Sequence, residues 1–519
     1  RGHTHHSPPR IPTLVIFPYL PAVHGPSEAR MSSTSPADAL DRLATAQPGW
    51  AEATSAERAV VAEEVLAELQ RDDWSLVGCW VRQELALEGF RMDPTGRDKV
   101  YAAQGAVKRM IFGNVIKDFL EASITAAKGG TLPTARSDAA AGVRVHGPIA
   151  IGPAAPGVYG EVWCDVKAGT VEHSKKKKEK VTVVLGAGNQ SFLSIVDVLE
   201  CVFTQHECVL LKHHPLRPFL LAPYAAILKP LVARGLFAQV LDDGLVAASA
   251  LLTSPLVGQV AMTGSEATFR AVRRTLDRAG RADVSVRAEL GCVSPWIVAP
   301  GQWSDVELDR AAELIAAAKK TNAGSNCLAA QLLVISRDWE HKEAFVAKLK
   351  AALSSIPDVP NYYPGAPERL AKLRALYDQK GDGRCEEIVA PRAQQLGAGE
   401  VGGGERPYSH VALLMCGVAH RAPSYDPTFE GSALGEEAFC PALAMVELPS
   451  EKPPSEKPPS EKPGGEGGGK AADYVMKVAI PFVNGQVTSP LAEGGGGSPH
   501  ALALSRTPPA TRPQGCMHA

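Results

Sequence analysis

Four segments carry residue types that could do covalent chemistry. Cys327 sits in Asn322-Ala-Gly-Ser-Asn-Cys-Leu-Ala, a loop of small residues. A thiol there is approachable, and the surrounding backbone amides can stabilise an anion. Glu289 follows the strand-like run 284–288. A carboxylate at the end of a parallel strand stands where α/β active sites form and could act as a general base. Asn189, in Leu185-Gly-Ala-Gly-Asn-Gln-Ser, also ends a strand-like run, and its side-chain amide could donate to an oxyanion. Thr263-Gly264-Ser265 lies between strand and helix patterns, where glycine admits close backbone approach and a helix N-terminus favours phosphate. Each also has a plainer role: a packed loop thiol, a solvent-facing Glu, a turn-stabilising Asn. The two glycines within 186–188 do not complete the dinucleotide fingerprint. The ten cysteines are scattered singly without a Cys-x-x-Cys pair, so no metal site is expected and a reducing compartment is.

The elements that must position these residues alternate. From about 36 to 127 the pattern is helical, with Val60, Val61, Val65, Leu66 and Leu69 at helix spacing, then Leu76, Val77, Trp80, Val81 and Leu85. Residues 128–170 read as extended, a hairpin arm at about 140–170. From 181 the rhythm is strand then helix. Strands are predicted at 181–185, 208–212, 238–241, 257–262, 284–288, 296–298 and 331–336. Helices are predicted at 191–202, 223–233, 247–252, 267–279, 305–321 and 340–354. Such alternation signals βαβ units and an α/β fold.

Composition bounds the rest. Lys plus Arg is 54 and Asp plus Glu 56, a formal net charge of −2, against a nucleic-acid binder. No apolar run approaches the roughly 20 residues of a membrane-spanning helix, and 11–23, broken by Pro and Thr, lacks a signal-peptide layout. A cytoplasmic location is expected, with organellar targeting by 1–30 left open. The 48 glycines and 41 prolines exceed the usual combined share of about 12%. The excess collects in insertions at about 393–406 and 449–470 and in the tail 489–519. Those segments and 1–30 are expected to lie outside the fold as disordered chain, and the lysine run 175–178 to be a solvated loop.

Taken in order, Cys208-Val-Leu-Leu-Lys212, Met262-Thr-Gly-Ser265, Ala288-Glu-Leu-Gly-Cys-Val-Ser-Pro295, Asn322-Ala-Gly-Ser-Asn-Cys327 and Glu436-Glu-Ala-Phe-Cys-Pro441 resemble the motifs of the aldehyde dehydrogenase superfamily. The resemblance covers roughly 40–445, extending toward 488. It implies a Rossmann-type cofactor-binding domain at 31–288, bearing the arm, and an α/β catalytic domain at 289–488. It implies oxidation of an aldehyde to a carboxylic acid with NAD or NADP. Cys327 would be the nucleophile, Asn189 and the Cys327 amide the oxyanion donors, and Glu289 the general base. Lys212, Gly264, Ser265, Leu290, Glu437 and Phe439 would hold the cofactor.

The chain also departs from the family's pattern. Ala187-Gly188 stands for Pro-Trp before the Asn, and Val198, beside Asp197, for a helix lysine. Cys292 replaces the second glycine after the Glu, and Cys440 the glycine of Phe-Gly-Pro. His213-His214-Pro215 follows Lys212 and lacks the Glu of NAD-selective members, pointing to dual or NADP-leaning use, with solvent-facing histidines as the plain alternative. The run 478–483 resembles the strand before a final substrate loop and oligomerisation strand, but no closing segment matches, which weakens the expectation of a homo-oligomer. Two other readings follow: a catalytically silent relative acting as a binding or scaffold protein, and an acylating, coenzyme A-dependent aldehyde dehydrogenase, for which a retained Glu289 is superfluous.

Overall fold

Helices come first because the apolar residues of 36–127 recur at helical spacing. α1 (Pro36–Glu52) is capped by Ser35. α2 (Ser55–Leu87) opens with a Thr54–Glu57 capping box and breaks at residues 71–74, where Asp72, Asp73 and Trp74 take positive φ. Its two apolar runs therefore form two arms instead of one rod. α3 (Lys99–Ala127) packs along α2. Trp80 stacks on Phe112 at 5.1 Å and meets Tyr224 edge-on at 5.5 Å, joining these helices to the first sheet's core. The computed structural model describes residues 35–90, 99–130, 135–138, 143–150, 159–165, 180–241, 245–378, 384–391, 408–418, 432–449, 474–480, 482–483 and 502–504. The extension 1–30, the lysine run 175–178, the insertion 393–406 and the insertion 449–470 beyond its first residue lie outside them.

β1 (Ala135–Asp138), β2 (Val143–Ala150) and β3 (Tyr159–Asp165) form an antiparallel sheet. The arm expected at about 140–170 is thus a three-stranded sheet that starts earlier, because Ala-Arg-Ser-Asp carries no apolar alternation to announce β1.

The first parallel sheet follows. Its strands are β4 (Val181–Leu185), β5 (Val209–Lys212), β6 (Phe237–Val240), β7 (Val257–Thr263) and β8 (Ser285–Glu289). Between them run α4 (Ser191–Leu199), continued by a π-helical turn Glu200–Thr204, then α5 (Leu221–Ile227), α6 (Lys229–Ala233), α7 (Leu245–Thr253) and α8 (Glu266–Arg278). The single helix predicted over 223–233 is two, since Pro230 opens the second. The spatial order is β6-β5-β4-β7-β8, all parallel. The order reverses between β4 and β7, which places a crevice outside the carboxyl ends of those strands.

The second sheet is built from β9 (Pro295–Val298), β10 (Leu332–Ser336), β11 (Cys385–Ile388), β12 (Val411–Val418), β13 (Ala442–Leu448) and β14 (Leu502–Leu504), with α9 (Asp305–Lys320), α10 (Lys342–Ser355) and α11 (Ala366–Tyr377). Its order is β11-β12-β13-β10-β9-β14, and only β11–β12 is antiparallel. Leu332 and Val334 bury one face with Leu370 and Leu373, while Leu333 and Ile335 bury the other with Ile315 and Leu349. Cover on both faces explains strands that are apolar throughout.

Two expectations about the end of the chain change. The run 478–483 is not a strand: Val475–Ala479 is a π-helical turn, and Tyr474, Ala479, Phe482 and Val483 cover the second sheet at helical spacing. The tail 489–519 is not wholly outside the fold either. Leu502–Leu504 pairs in parallel with Trp296–Val298, a short apolar run that composition averages away. No described helix is long and apolar enough to cross a membrane.

Candidate active site

The residues singled out from the sequence converge on the loops at two sheet edges. Asn189 follows β4, Lys212 ends β5, Gly264 and Ser265 follow β7, and Glu289 ends β8, all at the carboxyl edge of the first sheet. Cys327 precedes β10, while Glu437 and Phe439 precede β13, at the amino edge of the second. Residues 290–294 join the two sheets directly, with Leu290 partly buried against the first core.

One side chain fastens the two edges together. The Asn322 amide donates to the Asn189 carbonyl and to the Ser325 carbonyl, both at 2.9 Å. Asn322 and Ala323 have positive φ, and so does Gly324. A Cβ at Gly324 would collide with the Cys440 carbonyl, so this turn requires glycine. Ser325 Oγ donates to the Phe439 carbonyl at 3.4 Å, and Arg369 donates to the Ala438 and Phe439 carbonyls at 3.0 Å each. The 437–440 turn is therefore clamped to the Cys327 loop.

Asn189 is 6% exposed. Its carbonyl also accepts from Arg217 Nη2 at 2.9 Å and Tyr362 Oη at 3.1 Å. Arg217 Nε donates to the Gly188 carbonyl at 3.1 Å, and its Nη1 pairs with Glu84. These bonds fix the backbone of the 188–189 loop and leave the Asn189 side-chain amide unused by them. Sequence reading overlooked Arg217 and Tyr362. One signal was available: Glu84 lies on the apolar stripe of α2, beside Trp80, Val81 and Leu85, where an unpaired acid would be costly.

Around the thiol, burial dominates the electrostatics. Burial pushes the Cys327 thiol up to about 11, with Cys292 and Glu437 adding to the effect while the Leu328 and Cys327 amides oppose it. Cys292 Sγ lies 3.4 Å from the Cys327 carbonyl, which also accepts from Ser294 Oγ. The negative charge of Glu289 bears on both Cys292 and Asp197. The Glu289 carbonyl accepts from Gly264 at 3.0 Å, joining two of the predicted segments.

Glu437 approaches so closely that a Cβ at Gly291 would lie 2.5 Å from its Oε2. Its Oε1 is buried without a hydrogen-bond partner. Burial raises the Glu437 carboxyl to about 7, against the Cys292 amide, Arg369 and Lys319. Asp197 is likewise raised to about 7, first by burial, with Glu200 and Glu289 adding and Arg287 opposing. Both acids hold protons in the folded chain that the unfolded chain releases. Their stabilisation is present below about pH 4 and is lost as pH rises to about 7. Glu437→Gln is expected to shrink the loss of stability between about pH 5 and pH 8 by on the order of 3 kcal/mol. Urea unfolding at both values checks this, and an unchanged difference overturns it.

The two histidines after Lys212 are engaged in the protein. His213 is 1% exposed and its Nε2 pairs with Gln239 Oε1 at 2.7 Å. Burial lowers its pKa, with the Gln239 hydrogen bond opposing. His214 Nδ1 accepts from the Leu216 amide, and its ring stacks on Tyr363. The solvent-facing expectation does not hold for His213.

The groups present suit a dinucleotide. Ser265 caps the thirteen-residue α8 beside the crevice, giving a helix N-terminus for phosphate. The orphaned Glu437 Oε1 is an acceptor that a ribose hydroxyl would satisfy.

Comparison with known proteins places the chain in a family. The sequence profile of the aldehyde dehydrogenase family matches residues 181–446. A 3,6-anhydro-alpha-L-galactose dehydrogenase of Streptomyces coelicolor is 28% identical over 243 residues, 46% of this chain and 46% of that protein. A succinate-semialdehyde dehydrogenase [NADP(+)] of Escherichia coli is 28% identical over 196 residues, 37% of this chain and 38% of that one. The chain thus spans less than half the length of these curated relatives. In structure, lactaldehyde dehydrogenase from Escherichia coli superposes with a TM-score of 0.54 at 18% identity, covering 80% of this chain and 73% of that one. The profile takes in the strands and loops that carry Asn189, Glu289, Cys327 and Glu437, and the chain belongs to the aldehyde dehydrogenase family.

Proposed function

We propose that the chain oxidises an aldehyde to a carboxylic acid, with 31–288 binding NAD or NADP and 289–488 carrying the nucleophile. The observation that carries this reading is the Asn322 amide, which pins the Asn189 loop and the Cys327 loop to one point. Cys327 Sγ attacks the aldehyde carbon, and the carbonyl electrons move to oxygen. The Asn189 side-chain amide and the Cys327 backbone amide stabilise that oxyanion, at roughly 3–4 kcal/mol per well-placed donor. Lys212, Gly264, Ser265, Leu290, Glu437 and Phe439 would hold a nicotinamide dinucleotide, which would supply the hydride acceptor. Glu289 is the general base, taking the proton of the thiol or that of the water that hydrolyses the thioester. The identified relatives include an NADP-dependent dehydrogenase, which supports NADP as well as NAD.

The test is direct. The purified chain is mixed with short aliphatic, long aliphatic or aromatic aldehydes and either cofactor, and reduced nicotinamide is followed by absorbance. Turnover with at least one aldehyde is expected, and none with any overturns the reading. Pro215 brings no carboxylate to repel a 2′-phosphate, so NADP is expected to serve. An NAD preference of about a hundredfold, roughly 2.7 kcal/mol, would contradict that expectation.

A second reading, a silent binding protein, is favoured by the high pKa of the Cys327 thiol. The two readings part on an activated ester: the enzyme is acylated at Cys327, whereas the silent protein binds cofactor and stays unacylated.

A further inference from the structure

We propose that Cys292 is a second thiol site at the reaction centre, which forms a reversible disulfide with Cys327 when a peroxide enters. The two cysteines sit on different segments clasped at one atom. Cys292 Sγ lies 3.4 Å from the Cys327 carbonyl and 3.5 Å from Ser294 Oγ, and Ser294 Oγ donates to the same carbonyl. Cys292 and Cys327 are both half-buried, whereas Cys201, Cys208 and Cys440 are buried. The electrostatics agree with this proximity, since Cys292 raises the Cys327 thiol.

The chemistry balances without further reactants. The Cys327 thiolate attacks one peroxide oxygen: an S–O bond forms, the O–O bond breaks, and the departing oxygen leaves as water after taking a proton. Cys327 is then a sulfenic acid, oxidised by two electrons. The Cys292 thiolate attacks that sulfur, the S–S bond forms, the S–O bond breaks, and hydroxide leaves with the proton Cys292 released. With hydrogen peroxide the net change is two thiols oxidised to one disulfide and one peroxide reduced to two waters. Without Cys292, the sulfenic acid is open to a second peroxide and goes on to the irreversible sulfinic acid. A glycine cannot offer this protection, so Cys292 turns permanent loss of the nucleophile into a pause that a thiol reductant ends.

The proposal adds regulation to the dehydrogenase reading and rests on it only for the reactivity of Cys327. The reduced full chain is exposed to hydrogen peroxide, free thiols are blocked with N-ethylmaleimide, and the digest is read by mass spectrometry. A peptide pair linked through Cys292 and Cys327 is expected, and it disappears with dithiothreitol. In Cys292→Ser and Cys292→Gly, Cys327 is expected as sulfinic acid, which dithiothreitol does not reverse. Absence of the linked pair from folded wild type overturns the proposal, as does equal sulfinic acid in wild type and both variants. If the pair forms but no aldehyde is oxidised, the disulfide stands and the dehydrogenase reading falls. Turnover without the pair has the opposite meaning.

Discussion

Cys327→Ser is expected to lower aldehyde turnover by about 10⁴-fold or more, the scale on which removal of a covalent nucleophile acts. The fold should survive, because the loop is held by groups other than the thiol. Asn322 bonds Ser325 and Asn189, Gly324 packs under the Cys440 carbonyl, and Ser294 donates to the Cys327 carbonyl. Serine keeps that carbonyl and replaces only the sulfur. The thiol itself needs help: with a pKa of about 11, roughly one molecule in 10⁴ is thiolate at neutral pH. Alkylation of Cys327 in the free protein should therefore quicken about tenfold per pH unit, a slope that flattens if Glu289 is already drawing the proton. Steady-state kinetics, thermal unfolding and cofactor binding read the outcome. Turnover surviving in a folded Cys327→Ser would remove the covalent mechanism, whereas loss of turnover together with loss of fold would move the claim to Cys327→Ala.

Much of this site was visible in residue order, and the reasons are physical. β4, β5, β7 and β10 are largely buried, so each appears as a mostly apolar run, and the small-residue loops that follow β4 and β7 and precede β10 hold Asn189, Gly264 and Cys327. β12 and β13 are equally apolar but were not predicted as strands, because glycine- and proline-rich insertions obscure the strand–helix rhythm around them. α11 went unnoticed for a similar reason, standing between the proline-rich stretch 357–364 and the glycine-containing stretch 378–383. The bonds that fix the loops leave no periodic trace. Asn322 acts through a carbonyl of a residue far away in sequence, and the buried His213 pairs with Gln239 on the next strand. Such contacts depend on which segments become neighbours, as the β6-β5-β4-β7-β8 order sets Gln239 beside His213.

Arg217→Met is expected to cost about 3–5 kcal/mol of stability, the range for breaking a buried ion pair from one side. Arg217 and Glu84 are both 0% exposed. Burial works against the guanidinium charge, but Glu84 and Tyr362 beside it hold its pKa above the usual value. Just past the end of α2, Glu88 pairs with Lys108 at 2.6 Å, and burial raises the Glu88 carboxyl. Methionine would leave Glu84 charged, buried and unpaired, and would strip donors from the Gly188 and Asn189 carbonyls and a partner from Tyr362. If the unpaired charge is the main cost, Glu84→Gln added to Arg217→Met should recover on the order of 1–3 kcal/mol by double-mutant cycle in urea. The double variant keeps the neutral volume of the ion pair but not the clamp on the 188–189 loop. Its kcat should therefore stay low at temperatures where it is fully folded, while KM for the aldehyde changes little, because a loosened Asn189 affects the oxyanion more than the bound aldehyde. A double variant as active as the parent would mean that Arg217 serves stability alone and that Asn322 and Tyr362 suffice to hold Asn189.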